Sequence, residues 1–362
     1  MKLAMRAFVA AIGLIASAAL AQPAPATTAQ SGGPGSVNIF EVARDQVERQ
    51  QTQPGNNAPV WREVRSGMVN YTNLPRHEAG VLIESEGESW RRLRPSLATA
   101  GGGIIAVALV LLMAFYMVRG PIEVVRKPTG RYIRRFSITE RIAHWSIALS
   151  FVVLAITGLV LTFGKYVLIP VLGYTLFSWL ATITKYLHNF VGPIFAVVLP
   201  IFIAIYVRNN LPTAADVKWL RELGGLRSPE GKFAPSDKFN AGEKVYFWLL
   251  VCVVSVVLAV TGLIMDFPNF EQSRSLLRLN NTIHVIAAML GVAMVSFHIY
   301  LGTIGNKGAY AAMRYGYVDE AWAMEHSDVW YEEVKAGKAR EKFADQGGDE
   351  VPAQVRTAPL GR

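Results

Sequence analysis

Five uncharged apolar runs, Ala98–Val118, Ile142–Phe163, Tyr186–Val207, Val245–Met265 and Thr282–Gly305, constrain this chain more than any other feature. Each reaches the roughly 20 residues that a helix needs to cross a bilayer. Backbone polar groups in lipid must be satisfied within the segment, so runs of this length predict helices and an all-α integral membrane protein. Composition agrees: 52% of the 362 residues are hydrophobic, 17% are charged, and the charges gather between the runs. In a soluble chain the net charge of +9 would suggest nucleic acid. Here the Lys and Arg flank apolar segments, where membrane orientation accounts for them, and nucleic-acid binding is set aside. The single cysteine, Cys252, lies inside an apolar run, so the chain has no disulfide framework and cannot ligate an iron–sulfur cluster by itself.

The chain begins with Lys2 and Arg6 ahead of a short apolar stretch that ends Ala19-Leu20-Ala21, which predicts a signal peptide over 1–21. Residues 22–97 are then expected outside the cytoplasm: loosely ordered to about Pro59 apart from a helical pattern over Val37 to Arg49, then a small module containing His77. The connectors 119–141 and 208–244 each hold seven Lys/Arg, against two each in 164–185 and 266–281. Basic loops face the cytoplasm, which leaves the tail 306–362 inside and makes the protein a multi-pass protein of a bacterial inner membrane. The uncharged stretch Tyr166 to Thr184, interrupted by Pro170 and Gly173, is expected to be an outer-surface or re-entrant segment.

The four later runs contain a duplication. "LAITGLVLTF" at Leu154 recurs as "LAVTGLIMDF" at Leu258, and "ERIAHW" before the first is echoed by "EKVYFW" before the second. The third run lies over the fifth with His188 on His284, so a helix pair used twice closes into a four-helix bundle. His144 then aligns with Phe247, and His298 with Phe202.

His284 and His298 are fourteen residues apart on one helix, which puts them on one face about 21 Å apart in height. With the predicted topology, His188 shares the outer depth with His284, and His144 shares the inner depth with His298. Polar groups at such depths are costly and functional by default, and a haem iron with two axial imidazoles satisfies them. Zinc asks for four ligands, with thiolate or carboxylate company, and these spans are almost empty of Asp, Glu and Cys. Gly158 and Gly291 on the histidine faces leave room for flat macrocycles, and Met265, Met289 and Met294 are read as filler. Trp145, Tyr186, Trp248 and Tyr300 fit the interfacial aromatic belt. Arg141, Lys185 and Asn189 are candidates for haem propionates.

The motifs "RRFSITERIAHWSIALSF", "KYLHNFVGPIF", "FNAGEKVYFW", "TIHVIAAMLGVAMVSFHIY" and "GTIGNKGAYAAMRYGYVDEAWAMEHSDVWYEE", in order from Arg131 to Glu333, resemble the b-type cytochrome (gamma) subunit of membrane-bound respiratory formate dehydrogenase. That resemblance implies two haems b, the outer on His188 and His284, the inner on His144 and His298. It implies an iron–sulfur (beta) subunit that donates to the outer haem, a catalytic (alpha) subunit that oxidises formate, and a quinone reduced near His298 and the "NAGEK" turn, with Gly242 a backbone contact. Glu243, Lys244 and Asp216 are candidates to supply protons, set against the plainer reading of a solvated connector.

The expected fold is thus a four-helix transmembrane dihaem cytochrome b bundle over 142–305, preceded by a cytoplasmic connector 119–141, an extra transmembrane helix 98–118 and the exported segment. The cytochrome b of a nickel–iron hydrogenase or thiosulfate reductase would share these haems and differ in donor. A haem-free scaffold or transporter would need neither histidine pair.

Overall fold

The computed structural model describes residues 70–71, 81–83, 85–222, 224, 234–270 and 272–356, and the chain forms two units, 1–85 and 86–362. The expected signal peptide, the helical pattern over 37–49 and His77 lie outside the described residues. In the first unit β1 (Asn70–Tyr71) pairs antiparallel with β2 (Val81–Ile83).

Helix α1 (Ser85–Arg119) carries the first apolar run. It passes the later helices through glycines: a Cβ on Gly101 would meet the Met289 side chain at 2.5 Å, and one on Gly102 would meet Phe163 at 3.3 Å. Helix α2 (Ile138–Val167) starts at a capping box in which Ser137 and Glu140 satisfy each other's backbone amides. Helix α3 (Ile169–Tyr206) follows after Leu168 alone and packs along α2.

The stretch 166–184, expected as an outer-surface or re-entrant segment, is helical and continues into α3. Pro170 sits in the first turn of α3, where its missing N–H costs nothing, and Gly173 (φ 72°, ψ 173°) takes the whole break. From Tyr174 the helix runs on without a breaker as far as Pro193. Phe177 lies so close over Gly164 that a Cβ there would meet its ring at 2.5 Å, so the α2–α3 hairpin climbs as one unit.

The fourth run is built from α5 (Ala241–Tyr246), a π-helical stretch Phe247–Ser255 and α6 (Val256–Asp266). The π stretch has a cause in the duplication. "EKVYFW" follows "ERIAHW" by 103 residues (243 − 140), whereas the second "LA(I/V)TG" follows the first by 104 (258 − 154), so one extra residue must be absorbed between them. A wider π turn absorbs it without breaking the helix. Helix α7 (Arg274–Tyr300), capped by Ser273, packs against α6. A further short helix, α4 (Ala214–Arg221), lies in the connector after α3.

Residues 306–356, expected as a tail, fold together with the connector before α2. Strand β3 (Tyr132–Arg134) pairs antiparallel with β4 (Tyr317–Asp319), with Ile133 opposite Val318. Helices α8 (Ala309–Tyr315), α9 (Glu320–His326), α10 (Asp328–Lys335), α11 (Ala344–Gly347) and α12 (Ala353–Arg356) complete this part. Ile133, Phe136, Trp322, Trp330 and Phe343 share its core with Phe202, Tyr206 and Phe247 of the bundle. Two carboxylates pin the connector: Asp319 accepts from the amides of Thr129, Gly130 and Ala321 at 2.8–3.1 Å, and Glu325 accepts from those of Val125 and Arg126 at 2.9 and 2.7 Å.

Replacing Asp319 by Ala removes the acceptor of the buried Ala321 amide and of the amides of the exposed Thr129 and Gly130, and a loss of about 1–3 kcal/mol is expected in detergent-based thermal unfolding. Burial pushes the His326 imidazole down to about 4, with the Trp322 carbonyl opposing and the Arg135 charge assisting. Between pH 6.5 and 4 the folded chain then binds fewer protons than the unfolded one, so stability falls as pH drops through that window, by on the order of 3 kcal/mol. His326→Phe, which keeps the stack on Trp322 (centroids 4.7 Å, 4°), is expected to flatten that dependence in melting curves taken across the window.

Candidate functional site

The four membrane histidines meet in two pairs, each joining different helices. His188 on α3 and His284 on α7 have ring centroids 6.3 Å apart with planes at 75°; His144 on α2 and His298 on α7 are 6.0 Å apart at 49°. The pairing matches the one expected from depth. Helical rise sets the two levels about 21 Å apart along α7.

A metal–imidazole nitrogen bond is about 2 Å and the ring centre lies about 1 Å beyond the nitrogen, so two imidazoles on opposite sides of one metal sit about 6 Å apart between centroids. Both pairs have that separation. Among the described residues no group of three or more His, Cys, Asp or Glu could hold a bare metal ion. Two imidazoles with no further protein ligand suit a metal that brings its own equatorial donors, as haem does. The residues present fit that group.

The His188–His284 level borders a void. A cavity of about 410 Å³ lies there, bounded by both histidines and by the small residues Gly158, Gly192 and Gly262, with Lys185 and Asn189 also on its wall. A Cβ on Gly158 would come 3.5 Å from His188 Cε1, and one on Gly262 would come 3.4 Å from His284 Cε1. These glycines keep both rings free to stand upright. Gly291 has a different use: its face is taken up by Val254, Phe151 and Leu258, so it is a helix-packing glycine.

Each histidine of this level is held by a threonine of the preceding helix. Thr157 Oγ1 lies 2.7 Å from His188 Nδ1, and Thr261 Oγ1 lies 2.9 Å from His284 Nδ1. Each hydroxyl also donates to the carbonyl four residues back, Thr157 to Val153 at 2.7 Å and Thr261 to Val257 at 2.6 Å. A hydroxyl has one proton. With that proton on the carbonyl, the imidazole must donate from Nδ1, which leaves Nε2 as the free lone pair for a metal. Sequence reasoning missed these threonines, although both stand in the repeated "TG" of the duplicated motif.

At the His144–His298 level aromatic rings lie against both histidines. Tyr246 stacks on His298 (centroids 5.2 Å, 19°), and Trp145 meets His144 edge-on at 5.3 Å. His144 Nδ1 is buried without a protein partner, as is the Tyr246 hydroxyl. Arg141 bonds the Arg314 carbonyl, and Gly242 lies under Trp219, whose ring a Cβ would meet at 2.9 Å. Phe202 and Phe247, the residues that align with His298 and His144, also pair, with centroids 6.5 Å apart.

Two lysines of the connector are not solvated. Lys244 is buried between Asp216 (2.9 Å) and Asp237 (2.6 Å), and Lys238 between Glu140 (2.7 Å) and Glu341 (2.8 Å). Glu243 accepts from the Asn240 amide at 2.8 Å in a capping box.

Residues 135–316 match the family described as prokaryotic cytochrome b561. The chain is similar to the nitrate-inducible formate dehydrogenase cytochrome b556 subunit of Escherichia coli (strain K12), 29% identical over 227 residues, covering 60% of this chain and 98% of that one. A second cytochrome b556 subunit of formate dehydrogenase from the same strain is 30% identical over 221 residues, covering 59% and 97%. The formate dehydrogenase cytochrome b556 subunit of Haemophilus influenzae is 27% identical over 228 residues, covering 60% and 90%.

Filling the clearance beside either ring should disable its level. Gly262→Leu is expected to displace the His284 ring and remove low-spin b-type absorbance at that level, whereas Gly262→Ala, whose Cβ lies 3.4 Å from the ring, retains most of it; difference spectra of the purified variants check both.

Proposed function

The chain belongs to the prokaryotic cytochrome b561 family, and on that premise we propose that it is the dihaem b membrane-anchor subunit of a formate dehydrogenase complex. The observation that carries the reading is the pair of bis-imidazole sites, both at the separation one metal requires and stacked on opposite levels of one bundle. When bound, haem b at each level supplies a one-electron couple. His188 and His284 hold the outer group and His144 and His298 the inner. Lys185 and Asn189, on the cavity wall, stand where propionates would need donors.

The excess of Lys and Arg in the connectors before α2 and after α3 supports an orientation with those connectors, and the domain built on them, in the cytoplasm of a bacterium whose inner membrane the bundle spans. Residues 1–21 then act as the export signal and 22–97 lie in the periplasm. In this arrangement the subunit receives electrons from a periplasmic iron–sulfur (beta) subunit, itself supplied by the catalytic (alpha) subunit that oxidises formate, and delivers them to quinone near the cytoplasmic side. The identity of the relatives favours formate as the donor over hydrogen or thiosulfate.

The quinone is assigned to the region of His298 and the turn Asn240 to Lys244. Gly242 is its backbone contact, on the side away from Trp219. Of the groups able to supply protons there, Lys244 and Asp216 are bound to each other in a buried ion set, which favours a structural role. Glu243, with 44% of its side chain exposed, is the residue left to exchange protons with the cytoplasm. A charge moved inward against 100 mV costs about 2.3 kcal/mol, which the donor couple must supply.

Purified in mild detergent with haem supplied during expression, the protein is expected to yield two protohaems per chain by pyridine haemochrome. Replacing His188 and His284 together by Ala should remove one and spare the other, as should replacing His144 and His298. A well-folded preparation with no haem overturns the reading. Co-purification with the two partner subunits, and formate-dependent quinone reduction by that complex, test the choice of donor.

A further inference from the structure

We propose that Thr157 and Thr261 are positioning residues that lower the reduction potential of the outer site relative to the inner one, so that the bundle itself biases electrons inward. This rests on the haem reading above. The duplication puts a threonine at the same place in each helix pair, and each reaches the histidine of its own pair: Thr157 to His188 at 2.7 Å, Thr261 to His284 at 2.9 Å. Each threonine proton is spent on a helix carbonyl at 2.7 or 2.6 Å. If Nδ1 were bare, that one proton could serve only one of the two contacts, so the hydroxyl oxygen accepts and Nδ1 carries hydrogen.

An acceptor on Nδ1–H makes an imidazole a stronger donor through its other nitrogen, and a stronger donor favours the ferric over the ferrous ion. Both ligands of the outer site have that acceptor. Among the described residues neither ligand of the inner site has a counterpart: His144 Nδ1 is buried without a protein partner, and the exposed His298 meets the flat face of Tyr246. The asymmetry therefore lies in the second layer around the ligands, since all four ligands are histidines. The couple exchanges one electron, and the Nδ1 proton stays on its ring in both states.

The test is a spectroelectrochemical titration of the full chain, in wild type and in Thr→Val and Thr→Ser variants at both positions. Val keeps the shape and removes the acceptor; Ser keeps the acceptor. Thr157→Val with Thr261→Val is expected to raise the midpoint of one of the two couples by about 59 mV, a tenfold shift in its one-electron equilibrium, and to leave the other unmoved. The double Ser variant is expected to titrate as wild type. Repeating the pair of Val changes in a chain lacking His144 and His298 assigns the shift to the outer site. Two bound haems with both midpoints unmoved in the Val variants overturn the proposal while leaving the haem reading intact. Absence of haem from wild type defeats that reading instead. Should the double Val variant lose the outer haem, the single Val variants decide, and unmoved midpoints in both overturn the proposal.

Discussion

Four imidazoles inside an apolar bundle are the constraint on which the rest depends. Each ring carries two polar nitrogens into a medium that offers no water, and an unsatisfied polar group there is costly. The bundle answers by bringing the rings together in twos, at about 6 Å between centroids, and at the His188–His284 pair by leaving glycine where a large side chain would press on them. Helix lengths and the hairpin of α2 and α3 serve to bring those rings to matching heights.

The second stabilising layer lies at the basic end of the helices. Lys238 and Lys244 are charges that a hydropathy argument treats as anchors against the membrane surface, yet each is buried between two carboxylates. These pairs tie together segments far apart in sequence: the start of α2, the connector after α3 and the C-terminal domain. Such ties are weak sources of net stability, because desolvation offsets attraction, but breaking one partner leaves a stranded charge. They fix which segments meet. Asp319 and Glu325 do the same for the connector before α2, through backbone amides instead of charges.

Much of the bundle was legible because one-dimensional signals set it. Apolar run length set the five helices, and the 100° step of a helix put His284 and His298 on one face. In the stretch Tyr166 to Thr184, Pro170 and Gly173 look alike as breakers, whereas a proline in the first turn breaks nothing and Gly173 alone makes the bend. Thr157 and Thr261 were hidden for a different reason: a threonine in an apolar helix reads as one that bonds its own backbone, and these do that as well. The domain of 306–356 was illegible because its strand β4 pairs with β3 across nearly two hundred residues, a partnership no local pattern announces.

The pairing of Phe202 with Phe247 has a consequence for the wiring of the molecule. Twofold repetition of a helix pair creates two equivalent positions at the inner level, one across α2 and α7 and the other across α3 and the π-helical stretch. Only the first has histidines. The second is filled by phenylalanines at almost the same spacing, 6.5 Å, continuous with the core of the C-terminal domain. Had both positions kept histidine, a carrier at the outer level would have faced a fork with two equal branches. Under the proposed function, the hydrocarbon that closes one branch would turn a symmetric scaffold into a conductor with a single terminal, and everything that must meet the electron there could be gathered on one side of the bundle.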